Sequence, residues 1–193
     1  MTIYLLIIVI GTGLIASIGG LFSNVLNLDI WYVALITPLL TISVMIIDAL
    51  GAIIIRKLPN RWFDSKNKYF ECGPLEKKLY EKLKIKKWKD KIPELGGFTN
   101  FHKDKVRDPK NPIYLERFIL ECNYGSTIHL VTGVLGFLVI LITPIRIFYL
   151  LALPVAFVNL ILNLLPFFVL RYNVSRLKIL LTFSNRNNKK VAN

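Results

Sequence analysis

Hydrophobic side chains follow one another almost without interruption in four parts of the chain, and polar side chains gather between and after them. The four apolar runs cover about residues 3–22, 31–55, 126–142 and 148–170. A helix needs about 20 predominantly apolar residues to cross the hydrocarbon core of a bilayer. The pattern therefore predicts an all-α integral membrane protein with four transmembrane helices.

The polar stretches divide the chain into four segments. We expect a transmembrane hairpin over 1–57, a basic insert over 58–122, a second hairpin over 123–170 and a basic tail over 171–193. The first apolar run lacks the Lys/Arg flank that precedes the apolar region of a secretory signal sequence, so we expect it to be retained.

Basic residues are concentrated in the insert and the tail. The chain has 25 Lys and Arg residues against 12 Asp and Glu residues, and 18 of the 25 lie between Arg56 and Arg117. Arg146, between the third and fourth runs, is the sole basic residue in the connections on the opposite side. Because Lys and Arg favour the cytoplasmic side, we predict a multi-pass cell-membrane protein with both termini and the insert in the cytoplasm.

One part of the insert has the pattern of a basic amphipathic helix. Between Leu75 and Trp88, leucines at positions 75, 79 and 83 recur at helical spacing with lysines among them. Such a helix can lie in the headgroup region with its lysines on anionic lipid, so we expect membrane lipids as partners. No nucleic-acid motif accompanies the charge, and we expect no nucleic-acid partner.

Cysteine and histidine are too few and too scattered to indicate a metal site. Cys72 and Cys122 are expected on the cytoplasmic side, where thiols stay reduced. With His102 and His129 they lack the paired spacing of a zinc site. The sequence also lacks a Walker loop, GxSxG, HExxH and the His-x4-Asp motif of glycerolipid acyltransferases. We therefore expect no metal and no bound cofactor.

Polar residues inside the apolar runs are the first candidates for function. Asp48 lies in the second run, where a carboxylate is costly and marks a functional site by default. The alternative is a hydrogen-bonded or snorkelling acid about two helical turns from the basic boundary. Asn159 and Asn163 lie one helical turn apart in the fourth run, as polar groups within the membrane.

The insert contains the chain's densest group of lysines. Lys87, Trp88, Lys89 and Asp90 are followed by Pro93 and then by a Gly-Gly pair. Lysines interleaved with a Trp could bind the phosphates of a donor or of lipid headgroups. The alternative is a solvated basic patch apposed to the membrane.

Glu116, Glu121 and His129 surround the entry to the third run. A neutral His129 could accept a proton there, or it could be a polar packing group. On one continuous helix Glu121 and His129 would lie about 12 Å apart along the axis. Direct contact between them would require a break at residues 123–125.

Arg171, Asn173 and Arg176 lie where the fourth run leaves the membrane. Two arginines around an Asn exceed what a stop signal needs, which favours a binding role. Membrane topology is the alternative explanation of the same charges.

These stretches together resemble a known enzyme family. The pieces that match are Leu58-Pro59-Asn60-Arg61-Trp62-Phe63, Lys87-Trp88-Lys89-Asp90-Lys91-Ile92-Pro93, Glu116 with Glu121 and His129, and Arg171-Tyr172-Asn173-Val174-Ser175-Arg176-Leu177. In this order they are similar to the glycosyl-4,4'-diaponeurosporenoate acyltransferases, small membrane enzymes of carotenoid biosynthesis. The resemblance extends over roughly residues 58–177.

The resemblance implies transfer of a fatty acyl group to a hydroxyl of a glycosylated or otherwise lipid-linked acceptor. His129 would be the general base, with Glu121 or Glu116 orienting its other nitrogen. Substrate would be held by the remaining candidates: Lys87, Trp88, Lys89, Asp90, Arg171, Asn173 and Arg176. Acyl-CoA or another acyl donor would be a co-substrate rather than a cofactor.

Two other functions stay open at this point. The chain could be another lipid-modifying transferase, acting on a prenyl or phospholipid substrate through the same polar groups. It could also be a non-catalytic lipid-binding scaffold built on the basic amphipathic helix. The sequence indicates neither the oligomeric state nor whether the acceptor is a carotenoid.

Overall fold

The structure is a computed structural model that describes residues 2–25, 27–92 and 106–192. Within these ranges it contains helices and no strand. Four of the helical stretches described are long and apolar enough to cross a membrane: Tyr4–Leu21, Ile30–Arg56, Pro112–Ile142 and Ile145–Arg186. The predicted all-α fold with four membrane-spanning helices is confirmed, while the orientation of the termini and the division into four segments stay predictions.

The first two helices follow the first two apolar runs closely. They are α1 (Thr2–Leu21) and α2 (Ile30–Arg56). Asp29 stands just before α2, and its Oδ1 accepts a hydrogen bond from the backbone N–H of Trp31 at 2.7 Å. This bond satisfies one of the amide groups that a helix leaves unpaired at its start.

The predicted amphipathic helix of the insert is broken into two. α3 (Pro74–Lys82) and α4 (Ile85–Trp88) are separated at Lys84, whose φ of 51° is left-handed. A residue in that conformation ends an α-helix. The apolar spacing correctly predicted helical structure on both sides of Lys84, but it does not reveal a single residue in the left-handed conformation.

The last two membrane helices are longer than the apolar runs that predicted them. α5 (Pro112–Leu135) continues as a 3-10 helix over Gly136–Ile142. After the short α6 (Ile145–Ile147) and a π-helical turn over Phe148–Ala152, α7 extends over Leu153–Ala192. Helical structure therefore continues on both helices into the polar segments, where the hydropathy pattern stops.

The chain forms two compact units. Unit 1 contains residues 1–54 and 130–164. Its buried core consists of apolar side chains from α2 and from the stretch after α5: Val33, Leu40, Val44, Val139, Ile147, Leu151, Ala152, Val155 and Ala156. Gly19 allows close packing here, since a Cβ at this position would lie 2.5 Å from Leu151 Cδ2 and 3.0 Å from Val33 Cγ1.

Unit 2 contains residues 55–129 and 165–193. The first half of α5 packs on the second half of α7 through one buried cluster: Leu115, Phe118, Ile119, Cys122, Leu170, Val174, Leu177 and Leu181. A smaller cluster joins Ile55, Phe63 and Tyr124. Unit 2 thus holds all the predicted site residues, and its polar contacts form the candidate site.

Candidate functional site

The loop after α2 is fixed to α5 by polar contacts with two adjacent residues. The Tyr124 hydroxyl lies 2.6 Å from the Leu58 carbonyl oxygen and 2.9 Å from Asn60 Oδ1, between which it shares one proton. Asn123 Nδ2 donates to the Phe63 carbonyl oxygen at 2.8 Å. The Phe63 and Tyr124 rings stack with their centroids 3.9 Å apart. The segment that carried the family resemblance therefore packs directly on α5.

Glu121 takes part in the same assembly through an ion pair. Its Oε2 lies 2.8 Å from a terminal nitrogen of Arg56, the last residue of α2. The Arg56 guanidinium also lies 5.1 Å from the centre of the Tyr124 ring, within cation–π range. Arg56 therefore has a specific partner on α5.

The structure does not bring Glu121 to His129. α5 is continuous from Pro112 to Leu135, so the break at residues 123–125 that direct contact required is absent. The two side chains are eight residues apart, about 12 Å along the axis. The orienting role expected of Glu121 therefore has no geometric support, while the half-buried His129 stays a catalytic prediction.

Glu116 lies in a different place from both. It lines an open groove of about 430 Å³ between α5 and the loop that follows α2. The groove's charged and polar lining includes Asn60, Arg61, Asp64, Lys66, Glu116 and Arg117. Glu116 is the only predicted site residue among those described that lines this groove.

The loop side of the groove is rigidly built. Asp64 Oδ1 accepts hydrogen bonds from the backbone N–H groups of Lys66 at 2.9 Å and Asn67 at 3.0 Å. Asn67 Nδ2 donates to the Trp62 carbonyl oxygen at 2.6 Å. These local bonds hold the turn in one conformation, so the side chains at 61 and 66 project from a fixed backbone.

Arg171 is engaged by an acid from the insert. Its Nε and one terminal nitrogen donate to the two carboxylate oxygens of Glu76 at 2.8 and 2.7 Å, in the paired geometry that makes arginine–carboxylate contacts strong. The side chains are 11% and 24% exposed. This pair anchors α3 to α7.

Tyr80 and Cys72 complete the surroundings of Glu76. Burial raises the pKa of Glu76, but hydrogen bonds from Arg171 and Tyr80 and the charge of Arg171 outweigh it, so the pKa lies below its ordinary value. Burial and the neighbouring Glu76 charge raise the pKa of the Cys72 thiol. Cys72 is therefore held as a neutral thiol and is a poor nucleophile.

In the lysine-rich part of the insert, Trp88 bonds to the backbone before α4 and Lys89 pairs with Asp90. Trp88 Nε1 donates to the Leu83 carbonyl oxygen at 2.9 Å, which closes the turn between α3 and α4. Lys89 Nζ lies 2.6 Å from Asp90 Oδ1, and Lys87 is exposed. Pro93 and the Gly-Gly pair lie outside the described residues. The substrate-binding role of this group stays a prediction.

The remaining candidates lie on α7 beyond Arg171. Arg176 is exposed and its guanidinium lies 5.8 Å from the centre of the Tyr172 ring. Asn173 is half-buried. Their helical context agrees with a surface position at the end of the fourth span, and their roles stay predictions.

Comparison with known families decides between the open functions. The family model for glycosyl-4,4'-diaponeurosporenoate acyltransferases matches residues 59–182, well over half of the chain. The chain belongs to this family. The resemblance drawn from the sequence is confirmed, and with it the assignment of the protein as an acyltransferase that acts on a lipid or glycolipid acceptor. No match was found among curated proteins or among solved structures.

Several residues that build this acyltransferase's candidate site were not singled out from the sequence. They are Arg56, Asn60, Glu76 and Tyr124. The sequence offered no local signal for Glu76, because α3 contains a second acid, Glu81, among the same lysines. That its partner would be Arg171 could not be inferred from one sequence.

Unit 1 contains a separate polar cluster around Asp48. Asn163 Nδ2 lies 3.1 Å from Asp48 Oδ2, and Asn159 Nδ2 lies 3.4 Å from Asp48 Oδ1. Thr132 Oγ1 lies 3.3 Å from Asn163 Oδ1. Asp48 is thus hydrogen-bonded within unit 1 in a cluster that joins α2, α5 and α7, and its role in function stays a prediction.

Proposed function

We propose that this acyltransferase moves a fatty acyl chain from an activated donor, such as acyl-CoA, to a hydroxyl of a glycosylated or otherwise lipid-linked acceptor. The observation that carries the proposal is the family match over residues 59–182, which includes the groove, Glu121, His129 and the Glu76–Arg171 pair. The family description names glycosyl-4,4'-diaponeurosporenoate. This supports a glycolipid acceptor and a place in carotenoid biosynthesis.

The membrane helices fit this chemistry. Both the acyl chain and the lipid-linked acceptor partition into a bilayer, so an enzyme with four apolar helices meets them at high local concentration. The reacting groups, a thioester and a sugar hydroxyl, are polar and lie at the surface of the bilayer. The positive-inside pattern supports a cytoplasmic position, at the cell membrane, for that surface, the insert and both termini.

The reaction moves one proton from the acceptor hydroxyl to the departing thiolate. The acceptor hydroxyl attacks the thioester carbonyl carbon, a C–O bond forms and the C–S bond breaks. A base takes the hydroxyl proton and returns it to the departing thiolate. Donors that face the carbonyl oxygen stabilise the negative charge that develops there.

Two side chains on α5 can be that base. His129 is the first candidate because a neutral imidazole accepts a proton readily and is the side chain that most often acts as a general base. Glu116 is the second because it lines the groove and forms no ion pair within the part of the chain described. Glu121 is paired with Arg56, so its proposed part is to hold α5 to α2 rather than to accept the proton.

The basic and polar residues of the insert and α7 are the proposed substrate contacts. They are Lys87, Trp88, Lys89, Asp90, Asn173 and Arg176, with Arg171 as a contact that Glu76 shares. Lysine and arginine among them would bind a phosphorylated donor or the oxyanion.

Lipid analysis of living cells tests the function and the base together. Cells that lack the gene would be complemented with wild type, His129→Gln, Glu116→Gln or the exposed α3 control Lys77→Gln, and their lipids analysed by mass spectrometry. We expect the wild type and the control to restore an acyl ester that at least one of His129→Gln and Glu116→Gln does not restore. Loss of a general base lowers the rate by about 10²–10⁴-fold.

Other outcomes would contradict the proposal. A missing prenyl or phosphoryl group, in place of an acyl ester, would indicate a different transferase. If both Gln variants restore the lipids fully while neutralisation of Lys82, Lys84, Lys86 and Lys87 abolishes function, the protein is a scaffold and the proposal is wrong.

A further inference from the structure

The groove beside Glu116 is lined by three cations that form no ion pair with any residue that the structure describes. Arg61 and Lys66 project from the loop after α2, and Arg117 projects from α5. All three are exposed, and none forms an ion pair with a residue that the structure describes. Arginine and lysine that stabilise a fold are normally paired or lie along apolar surface. These three cations instead border one cavity.

The acids in the groove do not neutralise these cations. Asp64 directs one carboxylate oxygen at two backbone N–H groups of its own turn, which disperses its charge. Glu116 carries the other negative charge and is a candidate base. Three cations from two separate elements therefore remain available for a ligand with more than one negative charge.

The frame that carries the cations is fixed before any ligand binds. Asn123 and Tyr124 hold the loop to α5, and the Asp64 turn fixes the backbone between Arg61 and Lys66. A preorganised set of donors binds an anion without the cost of ordering them. Phosphate esters are the anions that arginine forks and lysine recognise best.

We propose that the groove formed by Arg61, Lys66 and Arg117 binds a phosphate ester, beside Glu116. The ligand is either the phosphate of the acyl donor, as in a coenzyme A thioester, or the headgroup of an anionic phospholipid. This inference rests on the proposed function for the identity of the donor, but the phosphate site itself does not depend on acyl transfer.

Binding measured apart from catalysis tests the site. Purified protein in nanodiscs of phosphatidylcholine would be titrated with coenzyme A and with pantetheine, which lacks the phosphates. We expect coenzyme A to bind the wild type and to bind Arg61→Gln/Lys66→Gln/Arg117→Gln at least about tenfold more weakly. Lys77→Gln/Lys78→Gln/Lys82→Gln removes three exposed charges from α3 instead and should bind like the wild type.

Glu116→Gln gives a signature that a merely structural role would not give. Removal of a negative charge beside a bound phosphate should leave coenzyme A affinity equal or higher, while removal of the three cations lowers it. Rising ionic strength should weaken coenzyme A binding to the wild type more than to Arg61→Gln/Lys66→Gln/Arg117→Gln. Salt screens the charges of the three cations, which that variant lacks.

A second membrane, which contains the anionic lipid phosphatidylglycerol, distinguishes a lipid headgroup from coenzyme A as the ligand. If coenzyme A does not bind, but added phosphatidylglycerol raises the wild-type thermal transition and leaves that of the groove triple variant unchanged, the ligand is a lipid headgroup. If Arg61→Gln/Lys66→Gln/Arg117→Gln binds coenzyme A and responds to phosphatidylglycerol as the wild type does, the proposed phosphate site is wrong. Coenzyme A binding that depends on the three cations, with no acyl transfer to any acceptor, keeps the site and contradicts the proposed function.

Discussion

Glutamine in place of Glu76 should destabilise the protein through loss of one ion pair. The carboxylate accepts two charge-assisted hydrogen bonds from Arg171 and one from Tyr80. Removal of one partner from a fully buried pair costs about 3–5 kcal/mol, and an exposed pair contributes about 0–1 kcal/mol. With side chains 24% and 11% exposed, we expect about 2 kcal/mol for Glu76→Gln.

The thermal transition of the detergent-solubilised protein measures this effect. For a chain of this length about 1 kcal/mol lowers Tm by about 2–4 °C, so Glu76→Gln should lower it by about 4–8 °C. Arg171→Lys keeps the charge but loses the fork, and it should give a smaller decrease. In a double-mutant cycle Glu76→Gln and Arg171→Gln should be strongly non-additive. Lys77→Gln, next to Glu76 and exposed, is the control.

The pH dependence of the difference in Tm between wild type and Glu76→Gln provides an independent check. The folded pKa of Glu76 lies below its ordinary value of 4.5, so the carboxylate stabilises the folded state above that value. This stabilisation is lost as pH falls through the lower, folded pKa. The gap in Tm between wild type and Glu76→Gln should therefore be full at pH 7 and close under acid conditions. A gap of the same size at pH 3, or additive effects in the cycle, would refute the reasoning.

Two further substitutions test the packing inside each unit, one in unit 2 and one in unit 1. Tyr124→Phe removes the hydroxyl that bonds to the loop after α2 and should cost about 1 kcal/mol, measured by Tm, whereas Tyr69→Phe at a 90% exposed ring should cost nothing measurable. Gly136→Ala would place a Cβ 2.3 Å from Asn159 Nδ2 and should cost about 1–3 kcal/mol. Gly13→Ala is its control, because a Cβ at Gly13 would meet no side chain within 4 Å. Equal Tm values for the two alanine variants would contradict the close approach of Gly136 to Asn159.

The number and type of the membrane helices could be predicted from the sequence because hydropathy acts over whole helices. The helix ends could not, since α5 begins at Pro112 and α7 continues to Ala192 in segments whose polarity resembles that of loops. The break at Lys84 depends on a single backbone conformation. A lysine carries no local signal for that conformation.

The candidate site shows the same division. Glu116 and Glu121 were recognised as polar groups at the start of the third run, but the partner of Glu121 lies far away in sequence. Arg56 reaches Glu121, and Arg171 reaches Glu76 across 95 residues. A single sequence gives residue types and spacing along one element, whereas such pairs depend on how elements pack.

Acyl transfer by the purified protein tests the central claim most directly. Wild-type protein in nanodiscs would be incubated with isotopically labelled acyl-CoA and a panel of glycolipids, and the products identified by mass spectrometry. The account predicts a labelled acyl ester on a hydroxyl of at least one glycolipid, formed by the wild type and not by protein in which both Glu116 and His129 are glutamine. Labelled ester formed equally by both proteins would contradict it, as would no transfer to any acceptor by a wild type that binds the donor.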